Sequence, residues 1–561
     1  MRKFFDKAKS SLADGRSQSP SSHNQQQPVK EHDTPSTIGP PSALDVLRYR
    51  YHHGTNLGSV FVLEQWLYGS MFEADTKGAS ELDAVNAYVN HTYLSVTIYS
   101  SMADKFPFCS SIAKCGVEAT RSKWEAHWSN ALSDSDLDFL CNTAHCTSLR
   151  LPIGYFTLGP SFTAGTPFAG APSQIYLSAW SHVLALTSRL ATHGIGTLLD
   201  LHALPGGANT DNHSGTSRGK AELWTHRSHM DLGKRCLIFM AEQVAQGKVE
   251  GCIGVQVCNE ACYGARGMYD WYTDVIRTLS RIDSSIPLYV SDAWDLNAAV
   301  SWAQARNGIT SSSNPVVVDT HKYYTFTDAD KAQSPQQIIR RVPGELQEMT
   351  SKAGNVVDRG AVGAVVGEWS CVLDGQTWQK ASGGDRENLV QQFGQAQSRR
   401  WREGCGGSFF WTAKMEWMDG GEWGFWEMTK KGAVVPPREL LLGADDVRGR
   451  IASAQQQREQ KKNETVGAHV GYWDQTSPGG QFEHWRFEQG WDVGFSDALA
   501  FFAIKANGGL GGTSTGGDTI GHLDLWVRKR IVESGQGGPV LWEFEQGLRH
   551  GIDDFYKVVG L

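Results

Sequence analysis

The chain alternates between short runs dense in apolar and β-branched residues and longer stretches with helical spacing. Eight runs carry a strand signature: "GTNLGSVFVLE" (54–64), "SLRLPIGYF" (148–156), "IGTLLDLHALPG" (195–206), "GCIGVQVCNE" (251–260), "IPLYVSDAW" (286–294), "NPVVVDTHKYY" (314–324), "GAVVGEWSC" (363–371) and "GGSFFWTAK" (406–414). Such runs predict strands buried on both faces. Between several of them apolar positions recur every three to four residues, as in "SAWSHVLALTSRLATHG" (178–194) and "HMDLGKRCLIFMAEQVAQGKVEG" (229–251), the latter closing on a glycine suited to a helix end. Strand–helix alternation implies a parallel sheet, and eight strands are the number that closes a (β/α)8 TIM barrel. The expected organisation is α/β, with a disordered N-terminal tail over 1–45, a barrel over 46–434, and a mostly helical C-terminal extension over 435–561 packed on the barrel.

Polar residues sharpen this picture. The apolar runs lead into groups capable of chemistry: Arg150, His202, Glu260, Asp292, His321, Glu368 and Trp411. In a barrel all strand C-termini share one rim, where the active site forms, so these residues are predicted to converge despite their separation in sequence. Glu260 and Glu368 form the carboxylate pair that glycoside hydrolysis requires, one to protonate the leaving oxygen and one to attack or to activate water. Asn259 can donate to a sugar hydroxyl beside the anomeric carbon. Arg150 and the Tyr323 hydroxyl can hold a carboxylate ionised. His202 and His321 can donate to hydroxyls or orient a carboxylate, and Trp411 offers a floor for a sugar ring. Singly, each residue has an ordinary structural role; their succession along the strands favours a site.

Composition removes other classes. The net charge of -8 leaves no basic excess for a nucleic-acid partner. No apolar stretch is long enough for a membrane span, and the N-terminus lacks the apolar run of a secretory signal. The first dozen residues, with Phe4 and Phe5, can at most form a short basic amphipathic helix making weak contact with a membrane surface. Ten cysteines without CxxC spacing read as buried free thiols of a reducing compartment. A cytoplasmic protein is expected, with a mitochondrion or other organelle reached without a cleaved leader as the alternative. Neither an HExxH nor a Walker pattern is present, no GxSxG elbow precedes a helix, and the histidines and carboxylates have no specific zinc spacing, so neither cofactor nor metal is expected.

The motifs together resemble glycoside hydrolase family 5, in its branch of fungal exo-β-1,3-glucanases and related β-glucosidases. "GTNLGSVFVLEQW", "LRLPIGY", "LLDLHALPG", "NE", "DTHKYYTF", "GEW" and "FFWTAKME" occur in the order of that branch, over roughly residues 50 to 430. The resemblance implies a retaining double displacement with Glu260 as acid/base and Glu368 as nucleophile. It places Arg150, His202, Asn259, His321, Tyr323 and Trp411 around the cleaved sugar and gives Glu64 a substrate hydroxyl. In "HALPGGANTDN" it makes Asp211 and Asn212 sugar contacts. Thr210 stands where the branch carries an aromatic residue, while Phe326 keeps the opposing ring. The extension resembles a tail found on intracellular fungal members.

The function expected is a retaining β-glycosidase, β-glucosidase or exo-β-glucanase-like, acting on small glucosides, oligosaccharides or glucolipids. A transglycosylase would need the same residues, and a catalytically silent barrel binding carbohydrate or protein would need neither carboxylate. Retention requires the two carboxyl groups roughly 5–5.5 Å apart.

Overall fold

The computed structural model describes residues 38–89, 116–352, 354–511 and 515–561. Most of the expected tail, residues 1–37 with its membrane-surface contact, lies outside the described residues. The expected tail boundary at 45 shifts, because helix α1 (Ala43–Tyr49) begins inside it, where Ser42 and Asp45 form a capping box. Among the described residues no helix is long and apolar enough to cross a membrane.

Eight parallel strands close into a barrel in sequence order: β1 (His52–Asn56), β2 (Ser148–Gly154), β3 (Gly196–Ala203), β4 (Cys252–Cys258), β5 (Leu288–Ser291), β6 (Val316–Tyr324), β7 (Ala364–Leu373) and β8 (Gly407–Phe410). β8 returns to β1 with His52 opposite Gly407 and Thr55 opposite Phe410. Helices α2 (Ala179–Thr192) and α3 (Arg227–Ala245) occupy the two periodic segments. α2 buries Val183, Leu186, Thr187 and Leu190, one helical face. α3 stops earlier than its pattern suggested, near Gly247 at φ 70° rather than at Gly251.

The period-two alternation of the strands builds the barrel interior in layers. Leu198, Asp200 and His202 share one face of β3, and Val317, Asp319 and His321 share one face of β6. Leu198 and Val317 therefore join Ile253, Val365 and Phe409 in an apolar bottom layer. Asp200 and Asp319 meet Arg150 and Gln256 in a buried polar middle layer. His202 and His321 reach the open end. The chemistry at the rim thus rests on a charged layer, which rests on an apolar one.

The extension closes the other end. It comprises α4 (Ala444–Thr476), α5 (His484–Ala503), α6 (Leu523–Ser534) and α7 (Leu541–Val558). Phe501, Phe502, Trp526, Phe544 and Phe555 share a cluster with the barrel's bottom layer. Near the start of β1, Ile520 bridges Arg50, and the Tyr51 amide donates to the Thr519 carbonyl. Arg50 and Lys505 both pair with Asp518 within this buried contact. Helices α5 and α7 touch backbone to backbone at Gly490, Gly494, Gly547 and Gly551. A Cβ on Gly547 would stand 1.9 Å from the Phe487 carbonyl oxygen.

Candidate active site

At the C-terminal mouth of the strands lies a cavity of about 1070 Å3. Ten of the twelve residues given a role in the site from the sequence line it; Arg150 and Asn259 lie beneath. The assignment of Arg150 to a strand end needs correction. It is the third residue of β2 and fully buried, because β2 continues to Gly154.

From that position Arg150 organises the floor. Nη1 donates to Glu368 Oε1 and Asn56 Oδ1, both at 2.8 Å, Nη2 donates to Asn259 Oδ1 at 2.7 Å, and Nε donates to Gln256 Oε1 at 2.9 Å. Nη2 also lies 3.0 Å from Asp200 and 3.6 Å from Asp319. Burial opposes the guanidinium charge, but Asp200, Asp319 and Glu368 more than offset this and push its pKa up. Arg150 is a fixed cation under the site.

Glu368, in β7, accepts at its second oxygen from the Tyr323 hydroxyl at 2.8 Å. With a guanidinium on one oxygen and a phenol on the other, the carboxylate is held in one orientation. Glu260 follows β4 with φ 39°, in the left-handed region that a side chain other than glycine seldom adopts. Its Oε1 is 2.7 Å from His321 Nδ1, which is also 3.4 Å from Glu368 Oε2. A carboxylate oxygen of Glu260, one of Glu368 and a ring nitrogen of His321 all lie within 4.8 Å of one another. Burial opposes protonation of His321, yet Glu368, Asp319 and Glu260 raise its pKa well above the usual imidazole range.

The remaining expected residues form the walls. His202 Nδ1 is 2.7 Å from Asp200, and its ring stacks 6.0 Å from Trp411. Asn259 turns its amide nitrogen toward His202 Nε2, at 3.4 Å, because Arg150 holds its oxygen. Glu64 accepts from the Trp66 indole N–H at 2.9 Å, and burial raises its carboxyl pKa. Asp211 and Asn212 stand on an exposed stretch of the wall, and Phe326 is an exposed ring at the mouth. Asp292 lies outside the cavity: its carboxylate accepts from Thr320 and from the Trp294 amide, shaping the turn that presents Trp294.

Among the lining residues that escaped the sequence reading are Trp66, Trp294, Trp423 and His213. Trp66 and Trp423 lie outside the strand runs and Trp294 ends the fifth, and three-dimensional placement alone brings them to one cavity. Trp423 packs 5.3 Å from Trp66, 5.8 Å from Tyr323 and 6.4 Å from Phe326. The mouth is thus more aromatic than the threonine at 210 suggested. His213 directly follows Asp211 and Asn212 in "TDNHSG", an adjacency that was its one available signal.

Comparison with known proteins agrees with this architecture. A family model described as the glucan 1,3-beta-glucosidase 3 C-terminal domain matches residues 454–559. An uncharacterized glycosyl hydrolase of Saccharomyces cerevisiae is 31% identical over 535 residues, covering 93% of this chain and 94% of its own length. Glucan 1,3-beta-glucosidase 3 of Schizosaccharomyces pombe is 28% identical, covering 90% of this chain and 95% of its own. Among solved structures, the rutinosidase of Aspergillus niger superposes with a TM-score of 0.50 at 16% identity, over 69% of this chain and 98% of that one, a likeness of fold alone. With its carboxylate pair at the barrel mouth and a relative matched along nearly its whole length, the chain belongs to the glycosyl hydrolases that include the fungal glucan 1,3-beta-glucosidases, the branch of glycoside hydrolase family 5 that its motifs resemble.

Proposed function

We propose that the protein is a retaining β-glucosidase acting by double displacement on β-glucosides and glucan ends. The observation that carries this reading is the approach of the two carboxylates: an oxygen of Glu260 and one of Glu368 come within 4.8 Å, bridged by His321. Such an approach suits a covalent glycosyl intermediate, whereas inversion needs a gap of roughly 6.5–9.5 Å to admit water. Glu368 attacks the anomeric carbon as the bond to the leaving oxygen breaks, and that oxygen takes a proton from Glu260. Water then attacks the same carbon, its proton goes to Glu260, and the ester to Glu368 breaks.

The surroundings suit those roles. Arg150 and Tyr323 each hold one oxygen of Glu368 and so orient it for attack, and Asn259 presents its amide beside the reacting carbon. The names of the relatives favour glucose as the glycone and β-1,3-glucans or their fragments as substrates. The buried free thiols Cys141, Cys146, Cys236, Cys252, Cys258 and Cys371 support a reducing, cytoplasmic setting.

Incubation with 2-deoxy-2-fluoro-β-glucosyl fluoride followed by peptide mapping tests the reading. The label is expected on the peptide holding Glu368 and absent from Glu368→Gln. Turnover of glucosides without labelling, or a label on another residue, would remove Glu368 from its role; a protein that neither labels nor turns over any β-glycoside would be a binding barrel.

A further inference from the structure

The acid/base of a retaining enzyme must carry a proton in the first step and lose it before the second. Glu260 is placed to do so between two imidazoles that take separate oxygens. Oε1 faces His321 Nδ1 at 2.7 Å, and Oε2 faces His213 Nε2 at 3.2 Å. The two histidines are not equivalent. His321 is held on both sides, since its Nε2 lies 3.2 Å from Asp319 while Nδ1 also faces Glu368. His213 has one nearby partner. Its Nδ1 is buried without a hydrogen bond, and Asp211 is farther from Nε2, at 3.8 Å.

The loop that brings His213 there is built for this contact. Asn209 donates from its amide to the Glu260 carbonyl at 3.0 Å. The Asn209 side-chain oxygen accepts from the Asp211 amide and the Ser214 hydroxyl, folding residues 209–214 over the carboxylate. The loop and Glu260 are thus fixed to each other through the backbone as well as through the side chains.

We propose that His213 is the proton partner of Glu260, a positioning residue that acts through the carboxylate it touches. This rests on the reading of Glu260 as acid/base. In the resting site the imidazolium of His213 donates to ionised Glu260. In the first step the Nε2 proton passes to Oε2 and from Glu260 to the leaving oxygen, leaving His213 neutral and Glu260 ionised. In the second step the proton released by the attacking water goes to Glu260 and returns to Nε2, restoring the starting charges. No proton or electron pair is left over.

The surrounding charges favour this resting state. His213 is faced by Glu260, by Glu64 beyond β1, by Glu368 on β7 and by Asp211 on its own loop, with the His202 ring 5.0 Å away. Burial and the unpartnered Nδ1 work against its protonation, but the hydrogen bond to Glu260 and the charges of Glu260, Glu64 and Glu368 prevail and raise its pKa to about 9. Burial would raise the Glu260 carboxyl, yet its bonds to His213 and His321 hold it well below the usual carboxylate range. Both shifts place the proton on the imidazole, where it remains until the pH rises through about 9.

The test is the pH profile of kcat/KM for His213→Gln, which cannot titrate, measured on two glucosides. With an alkyl glucoside, whose leaving oxygen needs a proton, the basic limb is expected to move at least two pH units toward acid, with activity at pH 7 falling about 100-fold, the scale of general acid catalysis. With a dinitrophenyl glucoside, whose leaving group departs unprotonated, activity should stay within about threefold. An unmoved basic limb, or equal loss on both substrates, overturns the proposal. Glu260→Gln separates this from failure of the underlying reading: if that variant keeps its alkyl-glucosidase activity, the acid/base assignment itself is wrong. If it loses the activity while His213→Gln keeps the wild-type profile, the proton partnership alone falls.

Discussion

Among the described residues, two clusters bring a glutamate against two histidines, and they sit at different places. At the barrel mouth Glu260 lies between His213 and His321 on the wall of a cavity. In the extension Glu543 accepts from His469 and His484 at 3.1 and 3.0 Å and from the Glu483 amide at 2.7 Å. Phe487 stacks on His469, Phe482 stacks on His484, and Glu543 is fully buried. The charge environments also oppose each other. His213 faces several carboxylates and becomes more basic; His469 is desolvated against aromatic rings, faces a single carboxylate and a second imidazole, and becomes less basic. Similar groups at similar distances therefore serve different ends: one cluster lines a cavity and is repeatedly charged, the other, with His484 alone reaching the surface, stitches helices together.

The largest expected effect lies at the mouth. Glu368→Gln should lower kcat by about 10^4-fold or more, in line with loss of a covalent nucleophile. Thermal unfolding should change little, since Arg150 keeps Asp200 and Asp319 as partners. A variant that kept a tenth of its activity would place the nucleophile elsewhere.

Mild acid should act first on the closed end. His53 and His522 are buried, and burial lowers their pKa values to about 4. The unfolded chain takes up these protons near pH 6.5 and the folded protein only near 4. Their contribution to stability is therefore complete above pH 6.5 and is lost as pH falls toward 4, by roughly 3 kcal/mol each. His213, with its raised pKa, has the opposite sign: its contribution is present below pH 6.5 and fades as pH rises through about 9. Denaturant melts at pH 4, 5, 7 and 9 check this, and His522→Asn should make the acid loss shallower. An unchanged acid slope in that variant would refute the assignment.

The smallest effect belongs to the cluster in the extension. Glu543→Gln should reduce stability by about 1–3 kcal/mol, the scale of weakened charged hydrogen bonds, while the folded enzyme keeps its kcat. A fall in kcat without a fall in stability would show that the extension takes part in catalysis.

The sequence disclosed seven strands almost in place because their outward faces are apolar. It misplaced β1, whose buried residues His52, His53, Thr55 and Asn56 are polar and bond inside the barrel, as His52 Nδ1 does to Ser148 at 2.8 Å and Asn56 to Arg150. A polar strand leaves no hydrophobic run to read. The apolar residues expected to continue it, Val60 to Leu63, lie in the loop beyond and pack beneath the mouth. The carboxylate pair was legible because each follows or occupies a strand. His213 was not, since its importance arises from a loop folding over Glu260. The tryptophans of the mouth likewise acquire meaning through contacts between distant segments.

The central claim is that Glu260 and Glu368 act together on one anomeric carbon by two successive displacements. Proton NMR of the first sugar released from a β-glucoside, recorded before mutarotation, tests it most directly. The account predicts that the β-anomer appears first and the α-anomer only by later equilibration. Initial release of the α-anomer would mean a single displacement by water, and Glu368 would then be a base rather than a nucleophile.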